Sequence, residues 1–241
     1  KVVACGGKLY DPNIYLDSQE YILNVTRLAA PEISVEDVIT VFDEIVGHKL
    51  KVNLQNGSDY VAFTLNGELI EGEKYSLDMS DKTKFGTEFT LGMTMIANTE
   101  DGFISSHERV VEFNRIKAAT SLKYSYGKLS WTNQDSNIES HQVSIILKNS
   151  NTSDYSKRFN IDAKGNEFDI QTKINDLCKN DGEFYSAYRQ AEGIEIEFIS
   201  YANSMKDGIY YLSSTKASTI YGGTTLPLNK LDKPVLTFNP S

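Results

Sequence analysis

One short stretch of this chain is written three times, and it limits the fold more than any other feature. The last copy runs Tyr211-Leu212-Ser213-Ser214, then after a variable bridge Leu228-Asn229-Lys230-Leu231-Asp232-Lys233-Pro234. The middle copy runs Phe103-Ile104-Ser105-Ser106 to Phe113-Asn114-Arg115-Ile116-Lys117-Ala118-Ala119. The first runs Tyr15-Leu16-Asp17-Ser18 to Leu23-Asn24, then Arg27-Leu28-Ala29-Ala30-Pro31. Each copy joins an aromatic-aliphatic-small-Ser strand to a basic linker containing Ala or Pro. The spacing from Leu28 to Ile116 is 88 residues (116 − 28), and from Ile116 to Leu231 it is 115 (231 − 116). Both exceed the roughly 20–50 residues of solenoid repeats. They suit tandem β-domains of about 100 residues, with the repeated stretch as the seam between them.

Two further matches support the repeat. Before the seams lie runs of period two: Met93, Met95 and Ala97 in one, Ile194, Ile196 and Phe198 leading to Tyr201-Ala202-Asn203 in the other. Val2-Val3-Ala4-Cys5 occupies the same place near the N-terminus. Period two sends alternate side chains into a core, and the Ala ending each run marks a close approach of two sheets. The stretch from His48 through Leu50, Val52 and Leu54 also matches that from His141 through Val143, Ile145 and Leu147. The resulting division is 1–26 as the last strands of a preceding partial repeat, 27–115 and 116–228 as complete repeats, and 229–241 as the start of another. No Gly/Ser-rich linker separates them, which implies short, semi-rigid joints.

Composition narrows the function classes. The net charge of −9 and pI near 4.9 disfavour nucleic acid, which needs clustered Lys and Arg. No run approaches the ~20 apolar residues of a membrane-spanning helix. Cys5 and Cys178 fall in different repeats, so the reading is two unpaired, semi-buried thiols without a zinc pattern. Val3-Ala4-Cys5-Gly6 also resembles a bacterial lipobox, which would make Cys5 a lipid anchor.

Asn56-Gly57, Asn66-Gly67, Asp101-Gly102, Asp181-Gly182 and Asp207-Gly208 are hairpin-type dipeptides. Between them lie short Val-, Ile-, Thr-, Tyr- and Phe-rich segments such as Val38–Phe42, Tyr60–Leu65 and Thr219–Tyr221. This pattern predicts β-sandwiches rather than βαβ units. Phe168–Cys178 has a mixed period that allows a short helix.

Gly127-Lys128-Leu129-Ser130-Trp131-Thr132 resembles the second strand of a fibronectin type III domain, with its buried Trp. Leu122, after Ala118-Ala119, resembles the first strand. Tyr201-Ala202-Asn203 resembles the end of the sixth strand, and Tyr211-Leu212-Ser213-Ser214 the start of the last. In the earlier repeat Val41 stands where the later one has Trp131. The sixth-strand tyrosine of that family appears as Leu91 and Ile196, and the third-strand tyrosine as His48 and His141. The resemblance implies an all-β fold of tandem Ig-like or fibronectin type III-like sandwiches. It also implies extracellular spacer and adhesion modules, often on bacterial surfaces or secreted glycan-active enzymes.

No catalytic motif appears: G-x-S-x-G, H-E-x-x-H, a P-loop and G-x-G-x-x-G are all missing. His48 and His141, read as repeat equivalents, would sit one domain apart with packing roles, and His107 would be exposed in the seam. Asp135-Ser136-Asn137-Ile138-Glu139 spaces oxygens as calcium loops do but lacks their glycine and terminal bidentate Glu, so it reads as a polar loop. Neither metal nor cofactor is expected. The candidate binding surface is Tyr185, Tyr188, Arg189, Tyr210 and Tyr211, since tyrosines bury area at small entropic cost. The expectation is a non-catalytic extracellular array contacting neighbouring repeats and a protein or glycan ligand. The alternative is a carbohydrate-binding or accessory module of a glycan-active enzyme.

Overall fold

The computed structural model describes residues 22, 24–39, 45–98 and 102–220. Val2–Cys5, Tyr15–Ser18, Val41 and the seam residues beyond 220 lie outside them. The elements are β1 (Thr26–Arg27), β2 (Ile33–Ile39), β3 (Ile45–Val52), β4 (Ser58–Leu65), β5 (Glu68–Ile70), β6 (Ser76–Asp78), α1 (Lys82–Phe85), β7 (Glu88–Ala97), β8 (Phe103–Ile104) and β9 (Arg109–Arg115). They continue with β10 (Thr120–Ser125), β11 (Lys128–Thr132), β12 (Ser140–Lys148), β13 (Tyr155–Asp162), β14 (Glu167–Asp169), α2 (Ile170–Asn180), α3 (Gly182–Gln190), β15 (Gly193–Tyr201), β16 (Asn203–Lys206), β17 (Ile209–Leu212) and β18 (Ala217–Ile220). The protein is all-β, as its turn and strand pattern predicts. It forms two compact units that interleave in sequence. The described residues of Lys1–Glu36, Lys49–Met79 and Phe89–Glu112 make the first, and those of Asp37–His48, Ser80–Glu88 and Phe113–Ser241 the second.

In the first unit β4 runs antiparallel to β5 and β7, with Phe63 opposite Ile70 on one side and Met93 on the other. β3 pairs antiparallel with β6, placing Leu50 opposite Leu77. The alternation in β7 works as the sequence implies: Phe89, Leu91, Met93, Met95 and Ala97 are buried while Thr90, Thr94 and Ile96 are half-exposed. The turn at Asn66-Gly67 has φ of 51° and 89°. Two successive positive φ values are what a tight hairpin requires, and Asn-Gly adopts them at least cost.

The second unit sets the sheet β10-β11-β14 against the sheet β13-β12-β15-β18. Between them lie Leu129 and Trp131 of β11, Val143, Ile145 and Leu147 of β12, and Ile194, Ile196 and Phe198 of β15. The Trp131 ring sits 4.9 Å from Phe198 and 5.2 Å from His141, centroid to centroid. Trp131 thus occupies the second strand, Leu122 the first, and Tyr201 ends the sixth, as the resemblance implies. The last strand of that sheet is β18. Tyr211-Leu212 belongs instead to the β16–β17 hairpin, whose Asp207-Gly208 turn has φ of 53° and 85°.

The segment around Asp181-Gly182 departs from its hairpin reading. Asp181 closes α2 and caps α3, and its carboxylate accepts from Phe184 N at 3.0 Å. An Asp accepting an orphan helical N–H outweighs the turn tendency of Asp-Gly. Ile170, Ile174 and Phe184 are fully buried and bring both helices onto the core between the sheets. Cys178 is a free, half-buried thiol on α2, its pKa pushed up by burial.

Two correspondences read from sequence are corrected. His48 lies on β3, whose partner is β6, whereas His141 lies on β12 between β13 and β15. The first-unit position matching His141 is Val61: it faces Met95 of β7 as His141 faces Ser200 of β15. The match to Trp131 is Val52, since Val52 N donates to Tyr75 O at 3.2 Å as Trp131 N donates to Asn166 O at 3.0 Å. Alternating apolar residues look alike on any half-buried strand, so a period-two match cannot tell one strand from another.

His141 is completely buried, with no protein hydrogen-bond partner at either ring nitrogen. Burial lowers its pKa to about 4, against the opposing pull of Asp162. The folded protein therefore holds His141 neutral where the unfolded chain, with a pKa near 6.5, takes a proton. This contribution to stability is whole above pH ~6.5 and falls as pH drops toward about 4, by roughly 3 kcal/mol in all. His141→Leu should flatten that slope, measured by urea unfolding followed through the fluorescence of Trp131 between pH 4 and 7.

Candidate functional site

The repeated Ser-Ser pair performs the same closure in each unit. In the first, Ser106 N donates to Met95 O at 3.0 Å, and Ser106 Oγ accepts from Met95 N at 2.9 Å while donating to His107 O at 2.8 Å. Ser105 Oγ accepts from Ala97 N at 3.1 Å. In the second, Ser214 N donates to Ser200 O at 2.9 Å, and Ser214 Oγ accepts from Ser200 N at 3.0 Å while donating to Thr215 O at 2.7 Å. Ser213 Oγ accepts from Ala202 N at 3.3 Å and donates to Ala202 O at 3.1 Å. Ser106, Ser213 and Ser214 are all buried. The hydroxyls satisfy strand N–H groups that would otherwise be buried without acceptors, a cost of about 1–3 kcal/mol each.

The basic linker enters the same device. Arg27 Nη1 donates to Ser105 O at 2.7 Å, and Leu28 N to Ile104 O at 3.0 Å. Arg115 Nη1 donates to Ser213 O at 2.9 Å, and Ile116 N to Leu212 O at 3.0 Å. Arg27 is exposed and Arg115 buried, so burial rather than geometry distinguishes the two locks.

Within the second unit the lock meets a polar cluster. His48 Nε2 accepts from Ser213 N at 2.9 Å, and His48 Nδ1 lies 3.2 Å from Asp37 Oδ1 without hydrogen-bond alignment. Tyr201 OH and Asn203 Nδ2 donate to the Asp37 carboxylate at 3.1 and 3.3 Å, and Tyr210 OH donates to Asn203 Oδ1 at 2.9 Å. Burial, then Asp37, pushes the Tyr201 phenol up to about 12. Asp, His and Ser thus converge in the order of a nucleophilic triad, but the roles do not follow. The backbone amide of Ser213, not its hydroxyl, occupies Nε2. The hydroxyl is spent on Ala202, and His48 is wholly buried. This arrangement fixes a strand and leaves no nucleophile free.

The candidate tyrosines fall on two elements, α3 and β17, with no ring contact between the two sets. Tyr185 is exposed on α3, with the Arg189 guanidinium over its ring at 5.8 Å. Tyr188 turns inward and stacks on Phe184 at 6.1 Å. Tyr210 packs its ring against Phe113 at 5.5 Å and joins the Asp37 cluster. Tyr211 is half-buried on β17 opposite Ser204. His107 is exposed. In the Asp135 loop the carboxylate accepts from Asn137 N at 2.9 Å and Nδ2 at 3.1 Å, a local turn. Among the described residues no group of three or more His, Cys, Asp or Glu could hold a metal.

A cleft of about 390 Å³ opens between the β12–β13 connection and α3. Tyr155 and Ala187 give it apolar surface above the buried Leu147; Asn149, Thr152 and Ser153 line one side and Glu183, Ser186 and Gln190 the other. Asn149 Nδ2 donates to Gln190 O at 3.4 Å, Ser150 Oγ to Glu192 Oε1 at 2.6 Å, and Glu192 N to Lys148 O at 2.8 Å. These bonds brace the β12–β13 side against the end of α3. Sequence reasoning missed the cleft because it missed α3. The available signal was Asp181 as a cap, Glu183 in the first turn and Arg189 in the last.

Ser214→Ala should destabilise the second unit by about 1–3 kcal/mol through the orphaned Ser200 N–H. Ser204→Ala, at an exposed position, should change stability by less than about 0.5 kcal/mol. Urea unfolding of both variants checks this, and equal effects would contradict the lock.

No family model matches the chain, and no curated protein matches it in sequence. Among solved structures the chain is similar to the FN1–FN3 domains of chicken CNTN1, at 11% identity and a TM-score of 0.32. That similarity covers 85% of this chain and 70% of the other. No helix among the described residues is long and apolar enough to cross a membrane.

Proposed function

We propose that the chain is a non-catalytic β-sandwich array, a spacer and adhesion module of a bacterial cell-surface or secreted protein. The duplicated lock carries this reading. What recurs between the units is Arg-to-Ser and Ser-to-strand hydrogen bonding, which is architectural chemistry. The convergence of Asp37, His48 and Ser213 is likewise consumed in holding a strand. Function then resides in mechanical resistance and in exposed surface, where sandwich modules carry their variation.

The α3 cleft favours a second reading, a carbohydrate-binding or accessory module of a glycan-active enzyme. It offers amides, hydroxyls and an aromatic wall rather than a nucleophile.

Pulled from its ends in a force-extension experiment, the chain should resist and then unfold in discrete steps, because strand pairing must break before the chain can lengthen. Extension without resistance would count against the spacer reading. Hydrolytic turnover that vanished in a folded Ser213→Ala variant would sink the non-catalytic one.

A further inference from the structure

We infer that the α3 cleft binds a neutral, hydroxylated ring ligand, a short stretch of uncharged glycan. The inference rests on the binding-module reading above and names where contact is made and with what chemistry. The cleft volume lies within the ~300–1,000 Å³ of small-ligand sites. The part-exposed Tyr155 and Ala187, backed by the buried Leu147, present an apolar wall suited to the C–H face of a pyranose ring. Asn149, Ser186 and Gln190 supply hydrogen-bonding groups around it, and the Glu183 carboxylate can accept from adjacent hydroxyls.

Charge selects the class. Neither Lys nor Arg lines the cleft. Lys148, beside Leu147 in sequence, is held by Asp154 at 2.9 Å and Glu195 at 3.1 Å. A phosphate, sulfate or uronate would meet Glu183 without a balancing cation. A neutral ligand has no such penalty.

The site is also preformed. Glu183, Ser186, Ala187 and Gln190 recur at helical spacing and share one face of α3. Phe184 and Tyr188 anchor the other side of that helix in the core. The Asn149–Gln190 and Ser150–Glu192 bonds hold the opposite wall. A braced cleft loses little entropy on binding, which matters for weak polar ligands.

The test is calorimetric titration of the whole chain with cello-, chito- and mannohexaose, with polygalacturonate as the charged control. At least one neutral hexasaccharide should bind with a Kd between about 10 µM and 1 mM. Glu183→Gln should weaken it about tenfold, the effect of one charge-assisted hydrogen bond. Ser186→Trp, which fills the cleft, should abolish it, and polygalacturonate should bind the unaltered chain poorly and the Glu183→Gln variant no worse. Failure of all three sugars to bind at about 5 mM, or binding undiminished in both variants, overturns the inference. Glu183→Gln alone decides if Ser186→Trp fails to fold. Mechanical resistance without sugar binding would remove this site and leave the spacer reading standing.

Discussion

The structure depends on how a strand end is closed when its neighbour no longer runs straight beside it. At Met95 and Ala97 in one unit and Ser200 and Ala202 in the other, the backbone needs acceptors that a regular ladder does not provide. Two consecutive serines supply them, each hydroxyl taking a strand N–H. A hydroxyl can accept and donate at once, whereas an alanine there would bury the same amide unsatisfied. The arginine of the linker then takes the carbonyl of the first serine, so one dipeptide has its main-chain and side-chain groups engaged in both places.

This explains what could be read from the residues before the fold was known. The seam is legible because its function requires particular side chains: neither Ser can be exchanged for another small residue without losing an acceptor. The fold class was legible as well, since Trp131, the alternation in β7 and the Asn66-Gly67 turn each admit few solutions. Strand identity was not. Leu50 and Val52 look like Val143 and Ile145 because apolar alternation records only that one face is buried, and the pairing partner is set by contacts far along the chain. The Asp37–His48–Ser213 cluster was hidden for the same reason: its members are 165 residues apart between His48 and Ser213.

The aromatic candidates show the limit from the other side. Tyr185, Tyr188, Tyr210 and Tyr211 are alike in composition but have different surroundings. Tyr188 is packed into the core, Tyr210 is tied to Asn203, and Tyr185 stays in solvent beneath Arg189. Tyrosine is stable in each setting because its ring is apolar and its hydroxyl is not. Only helix phase and strand alternation sort them, and the helix phase was unavailable while Asp181-Gly182 read as a turn.

The connection between β6 and β7 holds nine residues, 79–87, with only the four-residue α1. That between β14 and β15 holds twenty-three, 170–192, occupied by α2 and α3. The lengthening accounts for about half of the difference between the 88- and 115-residue periods. Every bond of the serine lock lies outside it. A sandwich that closes in one place and lengthens in another can gain surface by insertion while every bond of its closure stays in place.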